Sequence, residues 1–465
     1  MKTTNISKMK NQIPADILAL NKVFQENGFE LYLVGGCVRD LLLNETPHDW
    51  DMCTNATPND MIHMCNHNAF SYHTIGAIYG TITIRQNNDW YEITTYRKEE
   101  KYMDGRHPNK IQFTDCLYDD LSRRDFTINA MALNPNTCEL IDPFDGNTAL
   151  QNKQLIAVGN AYDRIQEDAL RMLRALRFAI KYHLTMQDEL ANAIHQKIEN
   201  INQISKERIT EEFRKIFNSG QPINSLFLEF SDLIAVIIPE IKPCIGFEQN
   251  NRYHKHNVYE HMLAVTDLCK SNKFEIKMAS LLHDIGKPQA YVTDENGHGH
   301  FYGHPDISAT ICRTLLKNDF RLTTKETNRI LELVEYHDMP IIESMKSVRR
   351  ALTAHGEDFM RDWFFLKQAD MDDHIYPNDR YLRTVNGLTA IMDKILENNT
   401  AFSLKDLNIT GTILMNHFGL KQGKLIGTIL QQLLADVIDE KLKNTEDALL
   451  NAAETIIKNQ NMIRR

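Results

Sequence analysis

Residues 33–51 read LVGGCVRDLLLNETPHDWD, and the order of residue types in this stretch decides the fold of the N-terminal part. The residues ELYLV at 30–34 predict a short buried strand that stops at Gly35 and Gly36. Residues 37–43, CVRDLLL, suit a helix. A strand that ends on two glycines and is followed by a helix lets the backbone approach a ligand closely. The amides beyond the glycines and the start of the helix favour an anion such as a triphosphate. Arg39 lies near enough in sequence to add a charge-assisted bond to phosphate oxygens. Downstream, Asp49 and Asp51 are spaced so that, on a strand, both point to one face. Two carboxylates about 7 Å apart along a strand repel each other unless a cation sits between them. Their hard oxygen atoms suit Mg²⁺.

Working outward, residues 79–86 (YGTITIRQ) and 90–96 (WYEITTY) predict a β-hairpin joined by Asn87, Asn88 and Asp89. Glu92 sits on a strand expected to run beside the Asp49–Asp51 strand, which makes it a candidate third carboxylate. From about residue 160 the hydrophobic period changes. The segment 161–182, AYDRIQEDALRMLRALRFAIKY, predicts one uninterrupted amphipathic helix, with no Gly or Pro inside it. Most of the remaining chain also reads as helical, with breaks near 219–222, 239–246, 296–303 and 376–378. The predicted class is an α/β N-terminal domain with a mixed or antiparallel sheet, followed by mostly α-helical regions.

The 465 residues carry 52 basic and 62 acidic side chains, a net charge of −10. A protein that coats polyanions through general positive charge is thereby excluded, and any nucleic-acid contact needs a local basic patch. The eight cysteines form no CxxC pair, which argues against a zinc ribbon or redox motif. The N-terminus lacks the apolar core of a signal peptide, and no stretch approaches the ~20 apolar residues of a membrane span. A cytoplasmic protein with reduced thiols is expected.

The stretch at 33–58 resembles the nucleotidyltransferase core of the bacterial-type (class II) tRNA CCA-adding enzymes and poly(A) polymerases. DLSRRDFTINAMALNP at 120–135 is similar to that family's second motif, and IDPFDG at 141–146 to its DP-x-x-G segment. EDALRMLRALRFA at 167–179 resembles its nucleotide-selecting helix, and ERITEEFRKIF at 207–217 its next helical motif. The motifs succeed one another in the family's order. The resemblance implies a nucleotidyltransferase palm at 1–150, a helical neck at 151–225, a further helical domain at 226–380 and a C-terminal RNA-binding region at 381–465. It also implies tRNA as partner and CTP and ATP as substrates. Two ions at Asp49 and Asp51 would activate the attacking 3′-hydroxyl and stabilise the leaving pyrophosphate. Arg124 and Asn129 resemble the family's contacts to triphosphate and sugar. Asp125 is expected to cap the element after it, and Arg123 to hold a surface pair.

On a helix, Asp168, Arg171, Arg174 and Arg177 form a slanting row, each about 60° out of line with the one before. Cytosine and adenine both present an amino donor beside a ring-nitrogen acceptor. A carboxylate at Asp168 beside a guanidinium at Arg171 complements that edge, whereas uracil and guanine oppose it in polarity. With unpaired buried polar groups costing about 1–3 kcal/mol each, two such contacts yield discrimination on the order of 10²–10⁴-fold.

Residues 254–374 carry a second constellation. His261 lies in NVYEHMLAV, His283 and Asp284 in ASLLHDIGKP, His304 in YGHPDISA, His337 in LVEYHDMP and Asp370 in LKQADMDDH. Histidine and carboxylate ligands suit a transition metal or Mg²⁺. The stretch resembles the HD phosphohydrolase superfamily. His261, His283, Asp284 and Asp370 match its core ligand pattern, and His304 and His337 the extra histidines of its two-metal members. The resemblance implies a divalent metal of unspecified identity and a phosphohydrolase acting on phosphorylated RNA ends. Near the C-terminus, Gly419-Leu420 and the glycines at 423 and 427 predict a helix–turn–helix connection, with Lys421 and Lys424 placed to meet RNA phosphates. The motif set is shared by poly(A) polymerases and by enzymes adding only CC or only A. A phosphohydrolase with an inert transferase half is the alternative of another class.

Overall fold

The structure, a computed structural model, describes residues 9–99, 111–375, 379–397 and 402–463. The chain forms two compact units, Met1–Pro239 with Asp319–Arg321, and Glu240–Asn318 with Leu322–Arg465.

The first unit is built on a seven-stranded mixed sheet. Its strands are β1 (Leu31–Val34), β2 (Met52–Thr54), β3 (Tyr72–His73), β4 (Thr81–Gln86), β5 (Asp89–Thr95), β6 (Ala132–Leu133) and β7 (Leu140–Ile141), in the order β3-β4-β5-β2-β1-β6-β7. β2 and β5 run parallel, and every other neighbouring pair is antiparallel. Alternation explains the placement: Ile82 and Ile84 of β4 and Tyr91, Ile93 and Thr95 of β5 are buried. α1 (Ala15–Glu26) covers the same core with Ile17, Leu20 and Phe24, and the helix Pro58–His67 adds Met61, Met64 and Cys65. The hairpin turn is tighter than the sequence reading. Asp89 already pairs with Gln86, leaving Asn87 and Asn88 as the turn, with Asn87 at φ 54°.

The strand–turn–helix at 31–42 forms as predicted, with α2 spanning Gly36–Leu42. Two other expectations are corrected. Asp49 lies in a bend and Asp51 just before β2, so the pair is not carried on a strand. Only Asp51 extends the sheet, its carbonyl accepting from the Val34 amide at 3.0 Å. The helix expected over 161–182 is two helices. With α3 at Leu117–Ser122, these are α4 (Ala161–Glu167) and α5 (Leu170–Tyr182), and α6 comes next at Lys206–Asn218. The break falls on Asp168, extended at φ −147°, ψ 103°. Its carboxylate accepts from the Leu170 amide at 3.1 Å and so caps the start of α5. Asp168 therefore does not share a helix face with Arg171, Arg174 and Arg177.

The second unit is helical. α7 (Val258–Leu268), α8 (Phe274–Leu282), α9 (His304–Asp319), α10 (Thr324–Tyr336) and α11 (Glu357–Asp372) surround a buried polar centre. A capping box between Asn257 and Glu260 fixes the start of α7, and one between Thr323 and Glu326 that of α10. The break expected near 296–303 contains a strand, Gly299–Phe301, paired antiparallel with Tyr291–Thr293. The break near 376–378 lies outside the described residues. α12 (Gly411–Phe418), α13 (Lys424–Ile438) and α14 (Glu446–Ile463) close a separate core around Leu414, Ile429, Leu433 and Leu449. Gly419 ends α12 at φ 64°, and the turn to α13 carries Lys421. No described helix is long and apolar enough to cross a membrane.

Candidate active sites

In the first unit the backbone turns sharply at Gly35, φ 72°, ψ −127°, a left-handed conformation that side chains resist. A Cβ there would lie 2.9 Å from Nη1 of Arg124, the far end of that side chain, which would have to shift. Arg124 is thus laid directly over the turn. α3 holds it there through buried Asp120, whose carboxylate accepts from Arg124 Nη2 at 3.3 Å and from Arg123 at 2.8 and 3.0 Å. The two arginines hold the Asp120 carboxyl below its ordinary range against the effect of burial. Arg124 Nε has no hydrogen-bond partner although it is buried.

Arg39 and Asn129 complete this corner, though not as two independent ligand contacts. Arg39 donates to Asn129 Oδ1 at 2.6 Å and to Asp40 Oδ1 at 2.8 and 3.0 Å. Its guanidinium lies 4.4 Å from the Tyr182 ring centre. Asn129 in turn donates to Asp125 Oδ1 at 3.1 Å. Asp125 accepts from the Phe126 amide and from Arg174 at 2.5 and 2.8 Å, so it ties α5 to the turn rather than serving only as a cap. Burial works against its charge, but Arg174 and Asn129 bring its carboxyl down to about 2.

Asp49 and Asp51 are both solvent-accessible. Enough protein surrounds Asp51 that desolvation raises its carboxyl pKa, with Arg124 opposing and Asp49 adding repulsion. The parallel register Met52↔Ile93 brings Glu92 level with Asp51, and Glu92 is exposed on the face opposite buried Tyr91 and Ile93. The register thus sets Asp51, just before β2, level with Glu92 on the neighbouring strand, with Asp49 two residues before Asp51. Carboxylate oxygens are hard donors of the kind a divalent cation takes.

The row Asp168–Arg177 is tied down internally. Asp168 accepts two bonds from Arg208 of α6, at 2.7 and 3.2 Å. Arg171 pairs with Glu167 at 2.6 Å and also donates to the carbonyls of Arg164 and Arg123. Arg177 pairs with buried Glu212 at 2.6 Å. Asp120, Glu167, Arg208 and Glu212 do not stand out in the sequence. For Asp120 the signal is its i, i+3 and i, i+4 spacing to Arg123 and Arg124. For Arg208 and Glu212 the signal is their place in the motif at 207–217, and their partners lie 40 and 35 positions away.

In the second unit all six expected ligands meet. His283 closes α8, His304 opens α9, His337 closes α10, Asp370 lies in the last turn of α11 and His261 in the first turn of α7. His261, His283 and Asp370 form one group, and Asp284, His304 and His337 another, with the ligand atoms of each within 4.8 Å of one another. His261 Nε2 lies 3.3 Å from His283 Nε2 and from Asp370 Oδ1, and His304 Nε2 lies 3.0 Å from His337 Nε2. Asp284 bridges the groups, with Oδ2 3.3 Å from His261 Nε2 and Oδ1 3.2 Å from His304 Nε2.

The other ring nitrogen of each histidine is engaged elsewhere. Nδ1 of His283, His304 and His337 lies 2.8 Å from the carbonyls of Ser280, Phe301 and Val334, which calls for N–H at Nδ1 and a lone pair at Nε2. His261 Nδ1 instead faces Asp373 Oδ2 at 2.8 Å. Asp373 is a supporting residue that the sequence reading misses, although it stands beside Asp370 in ADMDD. Lone pairs aimed at one another at about 3 Å need a proton or a metal ion between them. Oδ1 of buried Asp284 has no hydrogen-bond partner, and Oδ2 is paired with Lys287 Nζ at 2.7 Å. The site fits two divalent ions.

The chain is similar to known proteins over most of its length. Residues 31–156 match the Poly A polymerase head domain, 183–245 the probable RNA and SrmB-binding site of polymerase A, 258–395 the HD domain and 381–453 the putative tRNA nucleotidyltransferase domain 2. The CCA-adding enzyme of Limosilactobacillus reuteri (strain DSM 20016) is 31% identical over 458 residues, 96% of this chain and 98% of that protein. That of Staphylococcus aureus (strain bovine RF122 / ET3-1) is 30% identical over 438 residues, 93% and 96% of the two chains. Among solved structures, the Bacillus stearothermophilus CCA-adding enzyme in complex with CTP shares the fold at a TM-score of 0.67 and 21% identity, covering 97% of this chain and all of that one. The Thermotoga maritima CCA-adding enzyme complexed with tRNA_CCA does so at 0.61 and 18%, covering 97% and 98%.

Proposed function

The chain belongs to the family of CCA-adding enzymes, and from that premise we propose that it adds C, C and A to the 3′ end of tRNA from CTP and ATP, releasing pyrophosphate. The observation that carries this reading is the match over nearly the whole chain to enzymes of that activity. Transferase and HD domains both imply divalent metal, and we take Mg²⁺ for the first because its ligands are carboxylates. We further propose the four-part division at residues 150, 225 and 380, and work in the cytoplasm, in keeping with eight unpaired cysteines.

Asp49 and Asp51, with Glu92 on the neighbouring strand, would hold the metal ions. Bound there, such ions ease deprotonation of the primer hydroxyl and neutralise charge on the departing pyrophosphate. The turn at Gly35 and Gly36 admits the triphosphate close to the backbone, and Arg124 lies over it. Arg39 acts as a positioning residue: its donors hold Asn129, and Asn129 meets the ribose. Asp168 and Arg171 read the base edge, each fixed in place by its own partner, Arg208 and Glu167. Arg174 and Arg177 anchor α5 to the palm and to α6.

The HD centre is assigned a second activity, hydrolysis of a 2′,3′-cyclic or 2′-phosphate at an RNA end. His261, His283, Asp284, His304, His337 and Asp370 would hold its metal, which supplies an activated water. Incubation with tRNA lacking its terminal CCA, plus CTP and ATP, followed by sequencing of the ends, tests the main proposal. Terminal CCA is the expected product; CC, A or poly(A) ends would replace it with one of the related activities.

A further inference from the structure

The cleft that opens onto the HD centre has a volume of about 1400 Å³. That exceeds the roughly 300–1,000 Å³ of pockets that enclose one small ligand. A phosphate ester at the metal centre therefore leaves most of the cleft to the rest of its molecule. Asp284, His304, His337 and Asp370 form its floor, and aromatic side chains line it as well.

Tyr302 lies two residues before His304 and is 75% exposed. It stands between the Tyr291–Thr293/Gly299–Phe301 hairpin and Gly303, which turns the chain at φ 71° into α9. The metal ligand and the aromatic ring are thus held by the same short, well-anchored segment. The His300 ring covers one face of Tyr302, 5.5 Å between centres and 4° from parallel, and the exposure leaves the other face open. Tyr253 also lines the cleft, half exposed, with the Arg252 guanidinium 5.0 Å from its ring centre. A large ring left open to water beside a phosphate-handling centre has an apolar face with nothing of its own chain against it. Planar π-faces stack on nucleobases without regard to sequence.

We propose that Tyr302, backed by His300, is a stacking platform for the nucleobase adjoining the phosphate at the HD centre, with Tyr253 and Arg252 as a second contact. The ligand class is a nucleoside phosphate, free or at the end of an RNA. This rests on the reading of the HD centre as a phosphohydrolase.

The test uses the metal-loaded full chain with a nucleoside 2′,3′-cyclic monophosphate and with the base-free ribose 2′,3′-cyclic phosphate. The expected result is that Tyr302→Ala raises KM for the nucleotide about ten-fold, leaves kcat within two-fold and leaves the base-free ester unchanged. Tyr302→Phe should behave as the wild type. An oligoribonucleotide ending in a 2′,3′-cyclic phosphate, run alongside, identifies the source: the same Tyr302 effect is expected, and the lower KM marks the natural ligand. Calorimetric binding of a nucleoside 2′-monophosphate gives a readout that needs no turnover. If nothing is hydrolysed yet Tyr302→Ala weakens this binding about ten-fold, the platform stands and the hydrolase reading falls. Nucleotide KM and affinity unmoved by Tyr302→Ala, or a base-free ester handled as well as the nucleotide, overturn the platform.

Discussion

Asp125 concentrates at one carboxylate the forces that shape the transferase corner. One oxygen serves the Phe126 amide and Asn129, the other Arg174. Its carboxyl stands at about 2, below the ordinary value of 3.8. A depressed folded pKa means stability that is present above the unfolded value and lost as pH falls through the folded one. The window is therefore about pH 4 down to about pH 2, and the contribution at neutral pH is about 2 kcal/mol. Asp125→Asn should lower the urea midpoint of the first unit at pH 7, read by Trp50 and Trp90, and the gap from wild type should shrink across that window. A gap that is constant with pH would show that the charge of Asp125 contributes nothing. At this scale the sequence is informative where chemistry is local. Gly35 is legible as glycine where the strand ends, and the structure adds its left-handed φ of 72°. Asp120 is legible in principle through its spacing to two arginines.

The break between α4 and α5 is not legible, and the reason is physical. The hydrophobic period runs through Asp168 without interruption, and no glycine or proline marks the stop. What halts the helix is a carboxylate that caps α5 and binds Arg208, an arginine on another helix. Tertiary partners of this kind leave no trace in a local window. The arrangement also places Asp168 and Arg171 at the start of α5, each locked by a separate partner, rather than side by side on one face. Arg208→Gln removes the bidentate hold on Asp168 and should relax base choice. Misincorporation of U relative to C should rise about ten-fold, since one loosened polar contact is worth about 1–2 kcal/mol. Unchanged selectivity would mean that Asp168 does not need this support. The HD ligands are legible because each occupies a helix end or first turn, where spacing along the chain survives folding.

The two proposed metal centres lie in separate units of the molecule, so each can be removed without the other. His283→Gln with His304→Gln removes one ligand from each group of the HD centre. Metal content measured on the purified protein should fall by up to two ions per chain, and the unfolding temperature of the second unit should become insensitive to chelator, while CCA addition persists. Loss of CCA addition in that variant would tie the two centres together. The α/β palm succeeded by helical regions is evident from the switch in hydrophobic period near residue 160. The hairpin at 291–301 is not, because its strands are three residues each.

The carboxylate pair beside the Gly35–Gly36 turn bears the main activity in this account. Asp49→Ala with Asp51→Ala, assayed on tRNA lacking its CCA end with CTP and ATP, tests that directly. Metal-assisted charge stabilisation is worth several kcal/mol, so incorporation should fall on the order of 10³-fold or more, with the fold and HD metal content intact. Incorporation of C and A at the wild-type rate in that double variant would contradict the account.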